Sequence, residues 1–116
     1  MIRIVTISLL VLIASCSRTI ERVPEPNGLI PKDKMVTVVK DMMILESHIQ
    51  ANYGQVGMYY KVMQRSGDSL LATFNLDRKT YEASIDYYGS RQDEMQEIYT
   101  ESLEKMNEEL GKLESE

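Results

Sequence analysis

The stretch PKDKMVTVVKDMMILESHIQANY, residues 31–53, has the clearest periodicity in the chain. At about 100° per residue, Met35, Val38, Val39, Met42, Met43, Leu45, Ile49 and Tyr53 fall on one broad arc. Thr37, Lys40, Asp41, Ser47 and His48 lie opposite. Pro31 suits a helix start, because the N–H it lacks would have no intrahelical partner there. The spacing predicts a helix from Lys32 to about Tyr53. An apolar arc this wide has to be buried against other helices.

Working toward the C-terminus, Gly54 and Gly57 interrupt the pattern, and a second helix is expected from near Met58 to Phe74, with Tyr59, Val62, Met63, Leu70, Leu71 and Phe74 apolar. Gly67 in its middle weakens it by about 1 kcal/mol relative to alanine. Asp77 can cap a short third helix through Tyr88, where Tyr81, Ser84, Ile85 and Tyr88 form a stripe. Gly89 ends it, and Ser90 with Asp93 three residues on is a capping-box variant that opens a fourth helix. Met95, Ile98, Tyr99, Met106, Leu110 and Leu113 share the face of that helix, and its other side is dense in Glu and Lys. No stretch alternates with strand period. The expected fold is all-α, a small bundle of about four helices, two long and two short, over residues 31–116.

Working toward the N-terminus, Pro24, Pro26 and Gly28 make residues 16–30 read as an extended, flexible tether. Ahead of it, Arg3 precedes an apolar run from Val5 to Ile13, too short to cross a hydrocarbon layer of about 30 Å. Residues 1–15 read as a signal peptide. Ile13-Ala14-Ser15 then precedes Cys16, the only cysteine, and resembles the bacterial lipobox. Cleavage is expected between Ser15 and Cys16, with the Cys16 thiol carrying a diacylglycerol and palmitate-type acyl chains. Two or more such chains, at about 0.8 kcal/mol per buried methylene, make attachment effectively permanent. Ser17, where an aspartate would signal inner-membrane retention, points to the outer membrane. The lack of acid before Glu21 points to its periplasmic leaflet.

Eighteen acidic and 13 basic residues leave a net charge of −5, and loss of residues 1–15 removes only Arg3 from that balance. No basic stripe exists to neutralise a phosphate backbone, so nucleic acid is not an expected partner. One cysteine and one histidine provide neither a disulfide nor a recognisable metal site, and no cofactor motif occurs. Glu46 falls at the centre of the first helix's apolar arc, between Met42, Met43 and Ile49. It is read as a possible buried structural carboxylate held by a tyrosine hydroxyl, a basic side chain or a helix N-terminus. His48 lies on the polar side without a triad around it. The methionines sit at core spacing rather than in a tight cluster for copper, and the pairs Tyr59-Tyr60 and Tyr87-Tyr88 offer contact surface.

Beside the lipobox, the segments PEPNGLIPKDKMVTVVKDMMILESHI (24–49), LDRKTYEASIDYY (76–88) and MQEIYTESLEKM (95–106) follow one another. In these the chain resembles a family of short Bacteroidota lipoproteins known only as a domain of unknown function, number 4296. The matching pattern falls on Leu29 to Met35, on Asp41-Met42 with Glu46, on Tyr81-x-x-Ser84-x-x-Tyr87-Tyr88, and on Ile98-Tyr99. Tyr81 stands where phenylalanine is expected, and Asn75-Leu76 where a glycine and a β-branched residue are common. The resemblance implies class and location and carries no mechanism.

With no catalytic constellation in view, the expected function is not enzymatic. The chain reads as a cell-envelope protein anchored to the membrane through Cys16, an accessory subunit of an outer-membrane assembly that binds a protein partner. A periplasmic chaperone-like module that holds unfolded outer-membrane clients is the alternative.

Overall fold

In the computed structural model, residues 19–116 are described. The expected signal segment 1–15, with Ser15, and the expected anchor Cys16 lie outside them. The helices are α1 (Lys32–Asn52), α2 (Val56–Thr73), α3 (Arg78–Gly89) and α4 (Gln92–Glu114), and the described residues contain no strand. The all-α bundle is as expected, except that three helices are long and only α3 is short. None is long and apolar enough to cross a membrane.

α1 is the central element. It packs along α4 on one side and α2 on the other, while α3 lies across them, chiefly on α4. Being covered on two sides, α1 buries more than one stripe: Val36 is fully buried beside Met35, Val38 and Val39, although it falls outside the expected arc. Tyr53, expected inside that arc, is exposed because the chain leaves the helix there. α1 and α4 run parallel. Lys32 is paired with Glu97, the Ser102 hydroxyl lies 2.9 Å from the Val36 carbonyl, and Lys40 reaches Glu109. Ser102 is fully buried one turn beyond Ile98, and so small a side chain lets the two helix backbones approach.

Lys40, expected on the solvent side, is only 8 % exposed. Its methylene stem lies on the α1–α4 seam and its ammonium meets Asp41 at 3.1 Å and Glu109. The Glu109 hydrogen bond, ahead of the opposing effect of burial, raises its pKa.

The expected caps divide. The Asp77 side chain accepts from the Thr80 N–H at 2.7 Å and starts α3. At the end of α2 the Leu76 N–H donates to the Leu71 carbonyl and the Asn75 N–H to that of Ala72, both at 3.0 Å. This is a Schellman turn with Asn75 in the left-handed region at φ 56°. Glycine reaches that backbone region without the strain a side chain brings. The Ser90–Asp93 capping box does not form. Ser90 is a buried αR residue closing α3, its hydroxyl is engaged elsewhere, and α4 starts after Arg91 without a side-chain cap.

Residues 23–30, expected to belong to a flexible tether, are held to the body. The Val23 N–H donates to the Ser90 hydroxyl oxygen at 3.0 Å, and Arg91 donates to the Val23 carbonyl at 2.9 Å while stacking 3.8 Å over the Tyr87 ring. After a turn that Gly28 makes at φ 75°, Ile30 enters the core at 1 % exposure. Its N–H donates to the Ser84 hydroxyl oxygen at 3.1 Å, and its carbonyl accepts from the Tyr88 hydroxyl at 2.7 Å. Ser84 and Tyr88, one turn apart on α3, thus satisfy both backbone groups of one buried residue. Ile30, Met35, Val36, Val39, Tyr88 and Ile98 form the core around this latch.

Candidate functional site

The α2–α3 hairpin leaves an open groove over α1, with a cavity of about 390 Å³. Met42 of α1 and Met63, Gly67 and Leu71 of α2 supply its apolar lining. Antiparallel packing brings α2 back along α1, and Gly67 is buried beside Met42, whose sulfur would lie 3.8 Å, an ordinary contact, from a Cβ at that position. Tyr81 of α3 forms a wall and Tyr60 an exposed edge. One rim is fastened by Arg78, whose Nε and Nη2 donate to the two carboxylate oxygens of Asp68 at 2.9 and 2.5 Å, tying α3 to α2 in the planar two-point geometry that guanidinium favours. Burial, with smaller contributions from Tyr99 and Glu46, pushes the Tyr81 phenol up to about 12, so it stays neutral at ordinary pH.

Glu46 lies farther along α1 and is half-buried, not sealed in the core. It sits where α2 begins, so the helix pair leaves its head group at a rim. Its Oε1 accepts from the Tyr59 hydroxyl at 2.8 Å and more weakly from Gln50 Nε2 at 3.4 Å. The hydrogen bond to Glu46 raises the Tyr59 pKa. The pair joins α1 to α2 through a neutral donor and a carboxylate. His48 is exposed on another face, by a shallow hollow with Asp41, Ile44, Leu45 and Leu70.

The groove can therefore hold an apolar group between methionines and tyrosines, with Gln64, Glu82 and the Arg78–Asp68 pair as polar edges. The Ser84 and Ser102 hydroxyls are buried and hydrogen-bonded to backbone carbonyls. Among the described residues, no three His, Cys, Asp or Glu side chains converge as metal ligands would. In each tyrosine pair the rings meet edge to face, at 5.5 Å for Tyr59-Tyr60 and 5.2 Å for Tyr87-Tyr88, with one ring turned inward and one more open.

Reading the sequence for sites missed the Arg78–Asp68 clamp, the Ser84–Tyr88 latch and buried Lys40. Only the polar Ser84 and Ser102 among apolar stripe positions hinted at them, since a small hydroxyl in a core position needs a backbone to bond.

Fold and groove define a small all-α bundle with one open, apolar, tyrosine-edged face. Residues 26–112 match the family described as "Domain of unknown function (DUF4296)", and the chain belongs to it. No curated protein and no solved structure matches the chain.

Proposed function

We propose that this protein is a lipid-anchored, non-enzymatic component of the cell envelope that binds another protein at the outer membrane, from the periplasmic side. The observation that carries this reading is where the exposed apolar side chains gather. Because α1 and α4 are parallel, the end of α1, the start of α2 and the end of α4 all lie toward the same end of the bundle. Tyr53, Val56, Met58, Tyr60, Leu110 and Leu113 are all exposed in these segments. The segment leading to Cys16 attaches at the opposite end, at Ser90 and Arg91. From Cys16 to Val23 a fully extended chain spans at most about 25 Å. An acylated Cys16 would hold the Ser90 end close to the bilayer and present the apolar end outward, as an accessory subunit requires.

The Met42–Met63 lining of the groove favours a second reading, a chaperone-like module, since flexible thioethers adapt to varied clients. Affinity purification of the intact chain from detergent-solubilised envelopes, beside a Cys16→Ala control and with mass spectrometry of the N-terminal peptide, separates the two. One stoichiometric partner lost with Cys16→Ala supports the subunit, and a diffuse set of unfolded barrel proteins supports the chaperone. An unmodified Cys16 removes the anchor on which both depend.

A further inference from the structure

On one face of α1, Met42, Glu46, Gln50 and Tyr53 follow one another at intervals of four, four and three residues. Met42 lines the groove under α2 and α3, while Gln50 and Tyr53 line a second hollow, of about 310 Å³, with Val56, Tyr59 and Tyr60 from the start of α2. Tyr60 borders both hollows. Glu46 therefore stands midway along a single trough that runs beside α1 from Met42 to Tyr53, about 16 Å at the helical rise.

The Glu46 carboxylate is fixed on one side and open on the other. Tyr59 and Gln50 both donate to Oε1. Among the described residues, Oε2 accepts no hydrogen bond and no cation lies within ion-pair distance of Glu46. Arg78 is the one cation lining either hollow, and Asp68 engages its Nε and Nη2. Glu82 adds another acid at the α3 edge. The trough thus carries negative charge that its own lining does not balance, beside two tyrosine rings that meet edge to face at 5.5 Å.

This charge selects the occupant. A carboxylate next to aromatic faces attracts an organic cation and repels an anion. A Lys or Arg side chain can lay its methylene stem along Tyr59 and Tyr60 and bring its charged head to Oε2. A free amine of a few atoms would leave the groove of Met42, Met63 and Leu71 uncovered, whereas a protein segment can fill it with an apolar neighbour of the same cation.

We propose that the trough centred on Glu46 is the docking site for a segment of another protein that places a lysine or arginine on Glu46 and an apolar side chain between Met42 and Met63. This rests on the protein-binding reading above and names the site and the chemistry of the partner.

The test places a photo-crosslinking amino acid at Gln64, an exposed position at the groove edge, in the full acylated chain in its native envelope, with exposed His48 on another face as control position. The expected result is one cross-linked protein, joined through a segment that contains Lys or Arg next to an apolar residue. Glu46→Gln keeps an oxygen for the Tyr59 hydroxyl and, with an unchanged thermal melt, should lower the yield by at least about tenfold. Replacing the partner's Lys or Arg by Gln, with Glu46 intact, should do the same, which makes the outcome independent of how the Glu46 variant folds. Cross-linking to a second copy or to lipid, equal yield at His48, a yield indifferent to the partner's substitution, or no product overturns the proposal. If a stoichiometric partner still co-purifies in any of these cases, only the site is wrong; if none does, the protein-binding reading fails with it.

Discussion

Replacing Tyr88 with phenylalanine removes one oxygen from the core and leaves the ring in place. That oxygen donates to the Ile30 carbonyl at 2.7 Å, where Ile30 is 1 % and Tyr88 4 % exposed. With its donor gone the carbonyl is buried without a partner, at a cost of about 1–3 kcal/mol. Ser84→Ala orphans the Ile30 N–H, now bonded at 3.1 Å, at a cost of the same order, about 1–3 kcal/mol. Both bonds hold the same residue. Once either is cut, residues 29–31 can shift toward water and the second loss is softened. The double variant should therefore be more stable than the sum of the singles implies, by about 0.5–1.5 kcal/mol. Urea unfolding followed by helical circular dichroism reads this as a lower midpoint at constant slope. Thermal melts should fall by about 4–8 °C per kcal/mol for a domain of this size. A Tyr88→Phe variant within about 0.3 kcal/mol of the parent, or strictly additive costs, refutes the latch.

At the α2 terminus, Asn75→Gly should leave stability within a few tenths of a kcal/mol or raise it, whereas Asn75→Val should cost about 1–2 kcal/mol, because φ is 56° there; equal midpoints for the two variants would contradict the Schellman turn. The Thr80 backbone N–H holds the Asp77 carboxyl below the usual aspartate range. A pKa lowered on folding contributes stability above the unfolded value, so melting temperature should drop as pH falls below about 4–5, and Asp77→Asn should flatten that limb. For Lys40 the buried stem outweighs the charge, since Glu109 can return to water. Lys40→Met should shift stability by less than about 1 kcal/mol, and a loss well beyond that by urea titration would mean the ion pair itself holds α1 to α4. The Tyr81 phenol, raised to about 12 chiefly by burial, favours the folded state while neutral. That stability is complete below the unfolded value of about 10 and disappears as pH climbs through about 12, so Tyr81→Phe should blunt alkaline unfolding followed by ultraviolet absorbance.

What the amino-acid sequence determined by itself is what depends on neighbours in the chain. The periodicity of residues 32–52 specifies a helix, Asp77 caps α3 through a backbone N–H three residues away, and Pro31, Gly54 and Gly89 mark breaks, although Gly57, expected as one, lies inside α2. These interactions close within a turn or two, so the order of residues is enough to read them. The tertiary structure decided what depends on two distant segments meeting. Sequence position put Lys40 on the solvent side and Ser90 in a capping box. The parallel packing of α4 on α1 buries Lys40, and the return of Val23 engages Ser90. Glu46 moved from the expected core to a half-buried rim because α2 begins beside it and brings Tyr59 within hydrogen-bond reach. Residues 23–30 look unable to order, having Pro and Gly and no periodicity. They are held because Ser84, Tyr88, Ser90 and Arg91, more than 50 residues away, supply the partners their backbone lacks locally. A one-dimensional pattern records which faces are apolar. Only the packing of those faces against one another determines which polar groups are enclosed with them, and which apolar faces, such as Tyr99 to Leu113, are left open.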